Sequence, residues 1–247
     1  MDLPAVELRH VTKSFGGRRV LDNVSLAVPA GLSLCILGRS GTGKSVTLRH
    51  IIGLVTPDDG QVLVEGEDLS PLPPRELSRV RRRIGFLFQN AALFDSISVG
   101  ENVAFPLRRH TRQRDGDVRA RALDLLAQVG LGHEYDTMPA ELSGGMRKRA
   151  GLARALALDP AILLADEPSA GLDPVTAGEI DALLVELKRR ARTTLIVVTH
   201  NIPSARAIAD ELAFLHEGRV IERGTAAELE GSGTALVREF MRSEGSG

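Results

Sequence analysis

The stretch LSLCILGRSGTGKSVTLRHIIGL, residues 32–54, decides how this chain is read. An apolar run at 32–37 ends in a glycine-rich loop, GRSGTGKS at 38–45, which opens into a segment expected to be helical over 45–54. Strand, glycine loop and helix in that order make a phosphate cradle. The glycines let successive backbone N–H groups turn inward, and the helix N-terminus adds positive potential. Lys44 is expected to bridge phosphate oxygens and the Ser45 hydroxyl to take a Mg2+ position. The nucleotide-binding set is therefore Gly38, Arg39, Ser40, Gly41, Thr42, Gly43, Lys44, Ser45 and the adjoining Val46.

Outward from the loop, alternating residues at 6–11 and 21–28 around Gly16-Gly17 predict antiparallel strands at the start. Strands are also expected at 61–65, 84–88, 161–165 and 194–199, with helices at 71–83, 146–158, 174–190 and 203–209. A hairpin over 213–222 and a last short helix over 234–241 precede an SEGSG end expected to be flexible. Between 90 and 143 the strand signals cease. Helices are expected there at 99–109 and 117–129, the latter with Val118, Ala122, Leu125, Leu126 and Val129 on one face. Asp173-Pro174 reads as an N-cap and first-turn pair, and Ile180, Leu183, Leu184 and Leu187 as a buried stripe. The fold expected is α/β with a parallel-rich sheet, and its sites belong at the carboxyl ends of the strands.

One such end is LLADE, 163–167. Asp166, closing a buried strand, needs a charged partner, and Mg2+ held through Ser45 and water supplies one. Glu167, one residue on, is placed to orient and deprotonate a water in line with the γ-phosphate. LSGG at 142–145, taken alone, is a helix start capped by Ser143. Lying between the glycine loop and Asp166, it becomes a third phosphate-handling element.

Composition narrows the classes further. With 43% hydrophobic and 26% charged residues the chain is globular rather than disordered. No apolar run approaches the length of a membrane span. The opening MDLPAVELRH, with acidic Asp2, resembles neither a secretory signal nor a transit peptide, so the chain is expected to stay in the cytosol. A net charge of -1 and the absence of Trp argue against nucleic acid as a partner. Cys35, the single cysteine, sits in an apolar run and reads as core.

These ordered motifs resemble the nucleotide-binding subunits of ATP-binding cassette (ABC) transporters, across residues 5–230. The resemblance implies an ABC-type P-loop ATPase in one domain. Its RecA-like core would take in about 1–89 and 160–230, with an N-terminal antiparallel β subdomain, an inserted α-helical subdomain over about 90–159, and a short helix and tail over 231–247. It also implies roles residue by residue. Phe15 matches the aromatic that stacks on adenine, usually Tyr. Gln89 matches the glutamine that senses Mg2+ and the attacking water. Ser143, Gly144 and Gly145 match the signature that caps the γ-phosphate of ATP on the opposite protomer. Asp173 matches the loop crossing the dimer interface, and His200 the histidine that contacts the γ-phosphate. Glu167, His200 and Gln89 would then be catalytic, with Ser45, Gln89 and Asp166 around the metal. Arg39 is larger than the residue many relatives carry and sits either at the interface or in solvent. His10, His50, His110, His133 and His216 have no such context.

The segment FLFQNAALFDSISVGENVAFPLRRHT, 86–111, is similar to the ATPases of Mla- and Mce-associated phospholipid transport systems, as are GRSGTGKSV, Met146 after LSGG, and Met138-Pro139. This resemblance implies a homodimer sandwiching two ATP on the cytoplasmic face of the inner membrane, peripherally attached. Its implied partners are an integral-membrane permease, an MCE-domain lipid-binding protein and a small accessory subunit. A soluble or signalling cassette ATPase, in iron-sulfur assembly or cell-wall regulation, is the competing reading. Arg79, Arg81, Arg82 and Arg83, and Arg108, Arg109, Arg112 and Arg114, form basic runs flanking the segment. They read as solvated faces, or as contacts to anionic headgroups or acidic permease elements.

Overall fold

Strands in this protein divide between two sheets, one antiparallel and one largely parallel. The computed structural model describes residues 3–243, the side chain of Ala191 aside, so Asp2 and residues 244–247 of the SEGSG end lie outside the described residues. Strands β1 (Val6–Phe15) and β2 (Arg18–Val28) meet at the Gly16-Gly17 turn, and β3 (Ser33–Leu37) leads through the glycine loop into α1 (Lys44–Ile51). There follow β4 (Asp59–Val64), β5 (Glu67–Asp68), α2 (Pro74–Arg81) and β6 (Ile84–Leu87). The strand-free stretch holds α3 (Val99–His110), α4 (Asp115–Gln128), a 3-10 turn at Pro139–Glu141 and α5 (Gly144–Ala155). The chain then runs β7 (Ile162–Asp166), α6 (Pro174–Ala191), β8 (Thr194–Thr199), α7 (Ile202–Ile208), β9 (Glu211–His216), β10 (Arg219–Gly224), α8 (Ala226–Glu230) and α9 (Ala235–Arg242).

The first sheet has the order β2-β1-β4-β5, all antiparallel, and the second β10-β9-β3-β8-β7-β6, in which only the β9–β10 pair is antiparallel. Every residue of β3, β7 and β8 is buried, which is why these strands read as continuous apolar runs rather than alternating ones. In register, Leu37 lies opposite Thr199 and Asp166 opposite Val198. The three strands therefore end together, and the loops that leave them share one edge of the sheet.

Two hydrophobic clusters lie on the two faces of this sheet. Leu8, Leu21, Leu48 and Val62 join Ile36, Leu164 and Ile196, packing α1 and the antiparallel sheet onto one face. On the other face Leu37, Leu163, Leu195 and Phe214 continue without a break into Val103, Leu125, Leu126 and Ile180. The strand-free helices are thus seated on the sheet by shared apolar burial, and Cys35 lies in the same cluster. Burial pushes the Cys35 thiol well above the usual range, so it stays protonated and inert.

The structure departs from the expected pattern in several places. The stripe on α6 buries Ile180, Leu184 and Leu187, but Leu183 is only half-buried and Asp181 takes a buried place instead. Strand β5, the 3-10 turn and α8 are additional elements. A Thr225/Glu228 capping box starts α8, so its signal was present in the sequence. The arginine runs are largely occupied within the chain. Arg79 pairs with Glu67, Arg83 with Glu65, Arg108 with Glu101 and Asp115, and Arg114 with Asp117, while Arg81 donates to the Ile52 and Gly53 carbonyls.

Helix α3 begins at a Ser98 cap accepting from Glu101 N at 3.2 Å, and there the Tyr135 ring lies flat on Gly100. A Cβ at Gly100 would sit 2.3 Å from Tyr135 Cγ, closer than any carbon contact allows. Tyr135 is buried, with its hydroxyl donating to Glu101 at 3.0 Å. Gly100→Ala is therefore expected to lower the unfolding free energy by about 1–3 kcal/mol through overpacking. In urea this reads as a lower midpoint at unchanged slope; an unmoved midpoint would mean that the ring swings aside without cost.

Candidate active site

The glycine loop, the ends of β7 and β8 and the loop beyond β6 converge on one cleft of about 580 Å3, lined by Arg39–Gly41, Gly43–Val46, Gln89, Glu167 and His200. Gly43 caps α1 with a φ of 105°, a left-handed conformation, and a Cβ there would meet the Val20 carbonyl at 2.8 Å. Only glycine turns the chain into the helix at this point. The N-terminus of α1 consequently faces the cleft, and no acidic residue in its first turn offsets its positive end.

Lys44 is 6% exposed, and its ammonium donates to the Gly38 carbonyl at 2.8 Å and the Arg39 carbonyl at 3.1 Å. Burial pushes its pKa down, against the opposing pull of Glu167 and Asp166. Glu167 Oε1 lies 3.8 Å from Lys44 Nζ. Beside it, Ser45 Oγ donates to Asp166 Oδ1 at 2.8 Å. Burial raises the Asp166 carboxyl, the Ser45 bond lowers it and the Glu167 charge raises it again. A carboxylate in this setting favours a cation close by.

Glu167 is turned by its own backbone. Its φ of 46° is left-handed, and its N–H bonds the Val198 carbonyl at 2.9 Å, so the chain bends sharply past β7 and swings the side chain toward β8. There Thr199 Oγ1 donates to Glu167 Oε2 at 3.0 Å, and His200 Nδ1 lies 2.9 Å from Oε1. The carboxylate is gripped from one side and open to the cleft on the other. This arrangement suits a phosphate ester cradled by backbone N–H groups, a hard cation on oxygen donors, and a fixed carboxylate aimed at a water.

The structure separates other members of the expected set. Ser143 caps α5, accepting from Met146 N at 3.2 Å, and Gly144 faces a different hollow, shared with Arg147 and Gly171. Ser143, Gly144 and Gly145 therefore do not line the cleft of their own chain. Phe15, at the end of β1, is 47% exposed with Lys13 Nζ 5.5 Å from its ring centroid, while Val20 lines the cleft itself. Asp173 caps α6, accepting from the amides of Val175 and Thr176 at 3.1 Å each.

Sequence reasoning missed three contributors. Lys148 of α5 is 6% exposed and donates to the Gln89 carbonyl and, at 3.1 Å, to the Glu167 carbonyl, pinning two cleft loops to one helix. Its signal was a lysine on the buried Gly145–Lys148–Leu152 face of a helix. Thr199, just before His200, looks in the sequence like any last residue of a strand. Helix α9 lines the cleft with Leu236, Glu239, Phe240 and Ser243, which its period puts on one face; Phe240 packs on Phe214 at a centroid distance of 4.9 Å. No local pattern announces that placement.

Comparison with known proteins gives concordant results. Residues 21–170 match the family model described as ABC transporter. Among curated proteins, the chain is 43% identical over 237 residues to the probable ribonucleotide transport ATP-binding protein mkl of Mycobacterium tuberculosis, covering 96% of this chain and 66% of that protein. It is 40% identical over 247 residues to the intermembrane phospholipid transport system ATP-binding protein MlaF of Haemophilus influenzae, covering 100% of this chain and 94% of the relative. The chain thus spans 66% of the length of the mycobacterial relative. Among solved structures, the dimeric ATP-binding cassette MJ0796 in a post-hydrolysis state, bound to ADP and Pi, superposes with a TM-score of 0.83 at 36% identity, covering 89% of this chain and 98% of that one. The cbiO1 structure from Clostridium perfringens, part of the ABC transporter complex cbiONQ, gives 0.85 at 28% identity over 98% of this chain and 96% of that one.

Lys148→Met keeps the length of the side chain but leaves the buried Glu167 carbonyl and the part-buried Gln89 carbonyl without their donor. It is expected to destabilise the chain by about 1–3 kcal/mol. Calorimetry should then show a Tm lower by about 2–4 °C for each kcal/mol; a wild-type Tm would show that water replaces the ammonium.

Proposed function

The chain belongs to the ABC transporter family, and from that premise we propose that it binds and hydrolyses ATP as the motor subunit of a membrane transporter, working as a homodimer closed around two nucleotides. One observation carries the reading: Lys44, Ser45, Gln89, Glu167 and His200 line one cleft, whereas Ser143, Gly144 and Gly145 do not line it and Gly144 faces a separate hollow. A second copy, facing the first, supplies them. The dimeric state of the cassette bound to ADP and Pi supports this arrangement.

The chain's residues divide the work. Backbone amides of residues 41–45 and Lys44 hold the β- and γ-phosphates, so the ammonium exchanges its carbonyl partners for phosphate oxygens. Phe15 packs on the adenine and Val46 lies against the same nucleotide. Mg2+ fits the donor set of Ser45 hydroxyl, Asp166 carboxylate and Gln89 amide. These are hard oxygen ligands, and among the described residues no group of three or more His, Cys, Asp or Glu forms an all-protein metal cage. When bound it neutralises charge on the β- and γ-phosphate oxygens. Glu167, fixed by Thr199 and His200, orients a water against the γ-phosphorus and takes its proton as the β–γ bridging bond breaks, giving ADP and phosphate. His200 also reaches the γ-phosphate. Loss of that phosphate removes the contact that each signature makes across the interface, and the dimer opens.

Coupling to a permease has a candidate surface. Phe86, Phe88, Phe94, Phe105 and Pro106 line a groove of about 440 Å3 between the sheet and the strand-free helices, rimmed by Arg81, Arg82 and Arg154. Phe88, Phe94 and Phe105 are large apolar side chains left exposed there. We take residues 90–159 as a helical subdomain that moves against the sheet core, so a permease segment seated in this groove would feel nucleotide state. Gln89 begins the groove's loop, and Lys148 links it to Glu167. Among the described residues no helix is long and apolar enough to cross a membrane. On the transporter reading, attachment is peripheral, on the cytoplasmic face of the inner membrane.

Phospholipid is the proposed cargo. The match to the phospholipid-transport relative covers 94% of that protein and all of this chain, whereas the relative named for ribonucleotide transport is matched over 66% of its length. An MCE-domain lipid-binding protein and a small accessory subunit are the remaining partners on this reading.

Lys44→Ala is expected to abolish ATP binding, and Glu167→Gln to bind ATP normally while accumulating a closed dimer, seen by light scattering. Near-wild-type turnover by Glu167→Gln would remove it as the base. Ser143→Arg should leave nucleotide binding by the monomer intact and stop hydrolysis, since the defect lies in the opposite site. Phe105→Glu should release the chain from its permease on co-purification without slowing ATPase of the chain alone; retention of a polytopic permease by that variant rejects the groove, and recovery of soluble assembly factors alone from wild type rejects transport.

A further inference from the structure

Below the cleft, on the far side of the loop that leaves Glu167, lies a buried polar cluster that the mechanism above does not use. Ser169, two residues past Glu167, has its Oγ 3.1 Å from Ser204 Oγ, and both side chains are buried. Ser204 belongs to the first turn of α7, whose cap Asn201 follows His200 directly and accepts from Ser204 N at 2.9 Å. Against this pair stands Asp181 of α6, 5% exposed, with a fully buried Oδ1 that has no hydrogen-bond partner. Together they line a groove between α6 and α7 whose other walls are small or apolar, among them Ala177, Gly178 and Val185.

A carboxyl group is a costly choice here. Its neighbours Ile180 and Leu184 show that an aliphatic side chain packs well on this helix, and an unsatisfied buried oxygen costs more than a satisfied one returns. Burial raises the Asp181 pKa and the Ser204 hydroxyl partly offsets that, and Asp181 shares the lining of one groove with Ser204 and Ser169. The cluster joins three elements that bear on hydrolysis: the loop from Glu167 to the Asp173 cap, the helix that cap begins, and the helix that starts beyond His200.

Resting on the ATPase reading above, we propose that Asp181 is a positioning residue for hydrolysis, acting through Ser204 and Ser169 to hold the Glu167 loop in register with the His200 loop. Asp181 acts as the terminal acceptor. It turns the Ser204 hydroxyl toward itself, which leaves the Ser204 oxygen to accept from Ser169. A directed chain, Ser169 to Ser204 to Asp181, then ties together the same two loops that the Glu167–His200 contact joins. The brace is not needed to bind nucleotide, since the phosphate cradle lies on the other strand of the trio, β3. It is needed to keep Glu167 aligned with the water, where small displacements cost rate.

The test is steady-state ATPase of the full chain with three variants. Asp181→Leu should lower kcat by about tenfold, the scale of one positioning hydrogen bond, with KM for ATP within about twofold of wild type. Asp181→Asn keeps an acceptor toward Ser204 and should recover kcat to within about threefold. Ser204→Ala removes one hydroxyl from a natively sized site and should reproduce the kcat loss of Asp181→Leu even if that variant folds poorly. Wild-type turnover in Ser204→Ala or Asp181→Leu, an Asp181→Asn as slow as Asp181→Leu, or kcat and KM deteriorating together would each overturn the proposal. Turnover that Glu167→Gln abolishes but these variants leave untouched defeats the brace alone; no ATP turnover by wild type defeats the ATPase reading and the brace with it.

Discussion

Parallel pairing of β8 between β3 and β7 is the constraint on which the rest of the structure depends. With Leu37 opposite Thr199 and Asp166 opposite Val198, the glycine loop, the acidic pair and His200 leave the sheet at one edge within hydrogen-bonding reach of one another. A slip by one residue in either pairing would exchange the side chains that face the two hydrophobic clusters and separate Ser45 from Asp166. Because every residue in these three strands is buried, each alternative register has the same apolar surface to hide, and loss of the polar contacts at the strand ends is what disfavours the slip.

Charge in the cleft is balanced by geometry. Lys44 and Lys148 are both buried and both pushed down by burial, and both are held by backbone carbonyls and by the field of Asp166 and Glu167. Two acids sit side by side, but in different company: Asp166 faces the Ser45 hydroxyl, whereas Glu167 is held by Thr199 and His200. One environment suits an oxygen ligand for a cation. The other suits a base kept in one orientation, and the left-handed backbone at Glu167 is what points it there.

The strand-free helices are attached in two ways with different consequences. Apolar burial from Leu125 and Leu126 through Leu163 to Phe214 joins them to the sheet without direction, so it tolerates small rotations. The Lys148 bonds to the Gln89 and Glu167 carbonyls are directional and sit at the cleft itself. Any movement of α5 is therefore felt at those two loops first. Exposed Phe88, Phe94 and Phe105 line the groove beside these helices.

The sequence by itself determined the local devices. GRSGTGKS before a helix, LLADE at the end of an apolar run and Asp173-Pro174 at a helix start depend on neighbours within a few residues, and chain order carries that information completely. Strands β7 and β8 and helices α3 and α6 fall close to where periodicity puts them, and the capping box that starts α8 is also local to the sequence. What only the tertiary structure decided was which distant groups meet. Lys148 reaching the Gln89 and Glu167 carbonyls, Thr199 gripping Glu167, one face of α9 lining the cleft, and Asp181 lying buried beside Ser169 and Ser204 all depend on elements far apart in the chain. Hydrophobic pattern specifies that a face is buried but not what it is buried against; that choice is made by sheet register and helix packing, which no window of sequence contains.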